Sequence, residues 1–211
     1  MPRLTYKEIA PIGAVMLIGA TCFGLGVTYA QLPYDLNTLW REDTIGNAFE
    51  KSINHYAQWG TAPRYVHHIF HGVMAIGLAG CFIKLYKPQE DSKYFEYGTL
   101  ILYMAGVIIY LTNLRVGVNS CVSGEWGEVD SYTGINVVAA SEVIIVFVLI
   151  GVLLLQGGLY YAEWYDSEVA KEILAKEAEE EAKLAETDSK QQSKNSKSSG
   201  KSTGVKSKKS D

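Results

Sequence analysis

The sequence has 211 residues, of which 48% are hydrophobic and 20% charged, and its formal net charge is −4. Its charges are unevenly placed, because residues 163–211 hold ten Lys and eleven acidic residues. This pattern excludes a single soluble globule and a nucleic-acid binder with a basic surface, and three Cys are too few for a disulfide scaffold.

Four apolar stretches are long enough to cross a bilayer, for which a helix needs about 20 apolar residues. They predict transmembrane helices at about 9–32, 65–84, 95–115 and 135–162, since only a helix satisfies its own backbone groups in lipid. The first stretch could also be a cleaved signal peptide, but its apolar core exceeds the roughly 7–15 residues of such a peptide. We therefore expect an all-α membrane protein with a four-helix transmembrane domain over residues 1–162.

The connection after the first span predicts a short helix. Four of its apolar residues share one helical face: Ile45, Phe49, Ile53 and Tyr56. Asp43 or Thr44 could cap its start. This helix is expected to lie either on the lumenal membrane surface or against other loops.

The connection before the fourth span contains Gly124-Glu125-Trp126-Gly127-Glu128-Val129. Glycines on both sides of a Trp predict a tight turn that sets the indole at the membrane interface. The alternative is a partner contact through the same turn.

A charged cytosolic helix is predicted over residues 163–188, where Glu and Lys recur at favourable i,i+4 spacing. The Lys/Ser-rich residues 189–211 carry too little apolar surface to fold alone and are predicted to be disordered.

The placement of Lys and Arg predicts the orientation. The short 84–93 connection carries three Lys, whereas the connections at 33–64 and 115–134 carry few positive charges for their length. Both termini are therefore expected in the cytosol. In that orientation Lys208 and Lys209, fourth and third from the C-terminus, match a retrieval signal of endoplasmic reticulum (ER) membrane proteins, although a Lys-rich tail also produces such a pair by chance.

A histidine run in the second span is the one candidate for redox or metal chemistry. His67 and His71 stand on one helical face at a spacing typical of metal ligands, with His68 between them. Four His in the whole chain are too few for a membrane di-iron site, and a bis-His haem needs ligands on opposite sides of the iron. A helix-bridging or interfacial role is favoured, and we predict no metal, no cofactor and no enzymatic activity.

Three polar residues flank the third and fourth spans. Arg115 and Glu142 could form an ion pair with Asn113 close by, or each could extend separately to water. No charged residue is expected at the middle of any span, which argues against a transporter. Cys121 is expected as a free thiol or an intermolecular link.

Several short motifs follow one another with matching helix spacing. They are Leu32-Pro33-Tyr34-Asp35, Lys87-Pro88, Phe95-Glu96-Tyr97, Leu111-Thr112-Asn113 and the Gly124–Val129 turn. In this order they closely resemble the fungal ER packaging chaperones of amino-acid permeases, the secretory-component proteins with four membrane segments. The resemblance covers roughly residues 9–166.

The resemblance implies a non-enzymatic ER-resident chaperone that assists the folding of amino-acid permeases and their packaging into COPII vesicles. Its expected partners are the permeases and, through the cytosolic tail, COPII coat components. Predicted client or partner contacts are Pro33, Tyr34, Asp35, Asn113, Arg115, Glu125, Trp126, Glu128 and Glu142. The alternatives are a redox or metal protein that uses the His run, and an accessory subunit of an ER membrane complex.

Overall fold

A computed structural model describes residues 6–40, 47–86 and 92–199, without the side chains of residues 6–8, 181, 182 and 184–199. Within these ranges the regular elements are all helical, and four of the helical segments are long and apolar enough to cross a membrane. The predicted all-α membrane protein is confirmed. The chain divides into two compact units, residues 1–160 and 161–211.

The elements follow in chain order: α1 (Tyr6–Trp40), α2 (Ala48–Gly60), α3 (Arg64–Leu85), α4 (Lys93–Ile109), a π-helical turn (Tyr110–Leu114), α5 (Arg115–Ser123) and α6 (Ser131–Ser199). The four candidate membrane segments are Ile9–Trp40, Arg64–Leu85, Lys93–Ser123 and Ser131–Glu180.

The first helix continues well beyond the predicted end at residue 32. Pro33 lies inside α1 and leaves one backbone carbonyl without its helical donor. The helix nevertheless extends to Trp40, because Asp35 is buried against Tyr56 and the Thr38 hydroxyl donates to the Tyr34 carbonyl at 2.6 Å. The Leu32–Asp35 motif is therefore helical and does not form a loop.

The third predicted span is longer and less regular than expected. A π turn at Tyr110–Leu114 joins α4 to α5, which continues to Ser123 and ends where Gly124 adopts a left-handed φ of 75°. The buried residues of this region are Tyr110, Leu114, Val118 and Cys121. They keep one side of the irregular helix in the core.

The predicted short helix after the first span is confirmed by α2. Tyr56 and Ser52 are buried, and α2 packs against the helices α1 and α5, whereas the prediction had it lie on the membrane surface or against other loops. Ile45 and the proposed caps Asp43 and Thr44 lie outside the described residues.

The predicted tight turn is present between α5 and α6. Gly124 and Gly127 both have positive φ, at 75° and 67°. The Trp126 indole lies directly over Gly134, where an added Cβ would collide with the ring. Asp130 then caps α6 by accepting hydrogen bonds from the Thr133 backbone N–H and hydroxyl, and these bonds hold the pKa of its carboxyl below the usual value.

The second unit begins at Tyr161, and its described part is helical to Ser199, beyond the predicted helix end at residue 188. Lys171 pairs with Glu168 at 2.8 Å, and the predicted i,i+4 partners Lys183 and Glu179 lie 4.0 Å apart. Lys208 and Lys209 lie outside the described residues, and their retrieval role stays a prediction.

Candidate functional site

Buried polar residues gather at the end of the helical bundle that carries α2, which we call the α2 end. The Tyr56 hydroxyl donates to the Asp35 carboxylate at 2.6 Å, and both side chains are inaccessible. Burial raises the pKa of Tyr56, so its hydroxyl stays a donor. This bond joins α2 to α1 across 21 residues of sequence.

Glu142 is the most unusual residue of this end. It lies on α6, only 2% exposed, and neither carboxylate oxygen has a hydrogen-bond partner among the described residues. Gln31 Oε1 and Asp35 Oδ2 are buried and unpartnered in the same sense. Buried polar atoms are nearly always hydrogen-bonded, so these open acceptors mark the α2 end as a candidate site.

Arg115 and Glu142 do not form an ion pair. Leu114 and Val118 face the core. Arg115 follows Leu114 and is rotated about 100° from it around the helix axis, so its side chain is exposed. The alternative of separate extension to water therefore holds for Arg115 and is wrong for Glu142, which is buried. Asn113 instead donates to the Ser141 hydroxyl at 3.1 Å and links the π turn to α6.

A small pocket of about 50 Å³ places Glu142 and Gln31 beside apolar side chains. Residues of α1, α3, the α4–π-turn region and α6 line it, among them Phe23, Phe70 and Leu149. Glu142 lies seven residues after Ile135, where the apolar run of α6 begins, which places it about 10 Å along the helix inside that run. We call this the acceptor pocket, after the unpartnered side-chain oxygens of Glu142 and Gln31 that border it.

A second, larger pocket of about 500 Å³ lies at the same end and contains the histidine run. His67, His68 and His71 line it together with Arg64 and Arg115. His71 bridges two helical segments, because its Nε2 lies 3.2 Å from the Tyr110 hydroxyl. Across the described ranges, no group of three or more His, Cys, Asp or Glu is placed to share a metal ion.

A charged network that sequence reasoning missed lies at the opposite end of the bundle. Lys84 Nζ is 2.8 Å from Glu96 Oε1, with both side chains buried, and it also donates to the Gln156 side chain. Gln156 Nε2 in turn donates to Thr99 Oγ1 at 2.9 Å. The sequence feature that could have predicted this network is the pair of opposite charges at the end of the second span and the start of the third. In the structure the network joins α3, α4 and α6.

The other predicted contact residues are spread over the α2 end. Pro33 is exposed on α1, and the Tyr34 ring stacks on His55 at 3.8 Å, where burial lowers the pKa of His55. Glu125 and Glu128 are exposed in the turn, where they are accessible to a partner. Trp126 contacts the bundle at Gly134 and therefore has a packing role. Cys121 is a free thiol and is buried.

Comparison with known proteins identifies the family. A family model for SHR3 chaperones, described as "ER membrane protein SH3", matches residues 8–196. The chain belongs to this family. It is also 25% identical over 182 residues to "Secretory component protein psh3" of Schizosaccharomyces pombe, an alignment that covers 84% of this chain and 83% of that relative. No solved structure matches.

Family membership confirms the resemblance seen in the motifs and makes the chain an ER membrane protein of the chaperone class. A chaperone of this class implies a membrane protein as its client.

Proposed function

We propose that this protein is an ER-resident chaperone that assists amino-acid permeases to fold and to enter COPII vesicles, without being an enzyme. The family supports the chaperone class, and the order of sequence motifs supports the permease as client. The observation that carries the proposal is the acceptor pocket, where the unpartnered Glu142 carboxylate borders apolar walls within the membrane-spanning helices.

The chemistry of the acceptor pocket fits a transporter as client. Secondary transporters contain interrupted helices with polar groups near the middle of the membrane, where their substrate sites form. Before such a protein is fully assembled, these groups lack their partners in lipid. A hydrogen-bond donor on one such helix can bond to Glu142 or Gln31 while its apolar side chains contact Phe23 and Leu149.

The lipid-facing surface offers additional contact area. Val15, Ile101, Phe147 and Leu154 are about 70% exposed and stand on three different helices. In lipid, helices associate by packing and hydrogen bonding because lipid tails are as apolar as the side chains. Apolar faces therefore hold a client helix weakly, and one hydrogen bond at the acceptor pocket gives the contact its selectivity.

The proposed orientation places the α2 end in the ER lumen and the tail in the cytosol. Glu125 and Glu128 are then available to lumenal loops of the client. In this orientation the charged segment after Tyr161 belongs to the cytosol, where coat components assemble. Lys208 and Lys209 would return molecules that leave with the cargo.

The decisive experiment removes the protein from its own host and follows several cargo proteins. Amino-acid permeases are expected to accumulate in the ER, while a soluble secreted protein and an unrelated plasma-membrane protein leave at the normal rate. Normal delivery of the permeases would refute the proposal. Equal retention of all three cargo classes would indicate an accessory subunit of a general ER complex, which stoichiometric co-purification in detergent would then identify.

A further inference from the structure

The histidine-lined pocket carries a different inference, because its walls combine positive charge with a position at the end of a membrane span. Arg64, His67, His68, His71 and Arg115 surround a space of about 500 Å³, and its lining contains no Asp or Glu. We propose that this pocket, the basic pocket, binds the phosphate-bearing headgroup of an anionic phospholipid.

The charges of the basic pocket suit a phosphate group. Arg64 and Arg115 are exposed, and neither forms an ion pair with a carboxylate in the described part of the chain. Arginine presents a planar set of N–H donors that bonds phosphate oxygens in pairs. The imidazoles of His67 and His68 add further polar contacts on the same wall.

The depth of the pocket matches a headgroup. The 22 residues of α3, at about 1.5 Å each, correspond to about 33 Å and so to one hydrocarbon thickness. Arg64 is the first residue of this helix and lies at the membrane boundary, whereas His71 lies about 10 Å further along. The pocket therefore opens beside the layer of lipid phosphates and reaches about 10 Å into the span, so that Arg64 lies at its mouth and His71 lies deeper. Basic pockets between membrane helices on the cytoplasmic or matrix side bind anionic headgroups, and we propose the same chemistry for the α2 end.

An apolar groove of about 140 Å³ borders the basic pocket and provides space for an acyl chain. Its walls include Phe23 and Val27 of α1 and Ile69 of α3. Trp59 and His67 line both spaces and meet edge to face at 5.7 Å, so they form the boundary between charged and apolar walls. A charged pocket beside an apolar groove fits an amphiphile better than a free phosphate ion.

The fluorescence of Trp59, which lines both spaces, can report the binding of a lipid directly. The full chain with Trp40, Trp126 and Trp164 each replaced by Phe keeps Trp59 as its one fluorophore of this type. It is reconstituted in phosphatidylcholine vesicles that contain 10 mol% of either brominated phosphatidylserine or brominated phosphatidylcholine. Bromine on an acyl chain quenches a nearby indole, so we expect the brominated phosphatidylserine to quench Trp59 strongly and the brominated phosphatidylcholine only weakly.

The variant Arg64→Gln/Arg115→Gln is expected to bind phosphatidylserine at least about tenfold more weakly, since each arginine near the membrane surface contributes about a fivefold preference. Lys51→Gln is the matched control, because Lys51 is exposed on α2 and does not line the pocket. Its quenching should equal that of the parent.

Three results would overturn the proposal. Equal quenching by the two lipids shows that headgroup charge is not recognised, and this comparison needs no arginine variant. Equal affinity of the parent and the double variant shows that the arginines do not hold the ligand. Relief of the quenching by 10 mM inorganic phosphate assigns the pocket to a soluble phosphate, whereas quenching that withstands phosphate supports the lipid.

Discussion

Replacing Glu142 with Leu should make the protein more stable and at the same time a poorer chaperone. The carboxylate is 2% exposed and has no partner among the described residues, so the folded protein bears its full desolvation cost. Leaving such a group unsatisfied costs about 1–3 kcal/mol or more. A leucine side chain at this position would remove that cost and fill a similar volume.

The expected gain in stability is measurable. For a chain of this length, each kcal/mol shifts the unfolding midpoint by about 2–4 °C, so Glu142→Leu should raise it by roughly 2–12 °C. Thermal unfolding of the full chain in a mild detergent measures the shift. Glu96→Leu is the matched control, because Glu96 is as deeply buried but is paired with Lys84 at 2.8 Å. Breaking that pair should destabilise the protein by about 3–5 kcal/mol, a change of opposite sign.

The functional half of the prediction uses the same variant in a strain that lacks the native protein. Glu142→Leu should restore permease delivery less well than the parent, although the variant is more stable and equally abundant. Lower stability would show that the carboxylate makes a favourable interaction in the folded protein. Higher stability with normal delivery would show that Glu142 does not contact the client.

Three further predictions concern packing, the α2 end and the tail. Gly80→Ala should destabilise the bundle by about 1–3 kcal/mol, because the added Cβ would lie 2.6 Å from a backbone oxygen of α1. Gly72→Ala on the same helix is the control, because its Cβ would point into open space and should leave the stability unchanged. Thermal unfolding measures both variants. Tyr56→Phe should cost about 1–3 kcal/mol in the same assay, because it removes the hydrogen bond to the buried carboxylate of α1, and an unchanged midpoint would contradict this. Replacing both Lys208 and Lys209 with Ser should let part of the protein reach compartments beyond the ER. Microscopy or glycan processing of a tagged form measures this. Unchanged ER residence would mean that retention is encoded elsewhere.

The membrane fold was predictable because each span is a long apolar run, and the backbone in lipid must be helical. The end of α1 was not, since Pro33 and Asp35 together are typical of a loop. Asp35 is instead buried within α1 and bonded to the hydroxyl of Tyr56, 21 positions away. No local pattern contains that contact.

The sequence singles out polar residues in and beside the spans, but it does not show which contacts they make. Glu142 stands out as the one charge in the fourth apolar run, and the structure shows that it is buried; its contact with a client stays a prediction. The π turn at Tyr110–Leu114 then decides which side of α5 faces the core and leaves Arg115 exposed. Such a turn depends on packing and has no sequence signature, so the surroundings of Glu142 and the pocket around Arg115 required the structure.

The buried pair of Lys84 and Glu96 has a consequence for the order of synthesis. The two residues are 12 positions apart, so both charges can neutralise each other as soon as the third span follows the second out of the ribosome. Each span alone would bring an uncompensated charge toward the bilayer, whereas the two together insert as a neutral hairpin. Gln156 is translated 60 residues after Glu96 and completes the network only when the last span arrives.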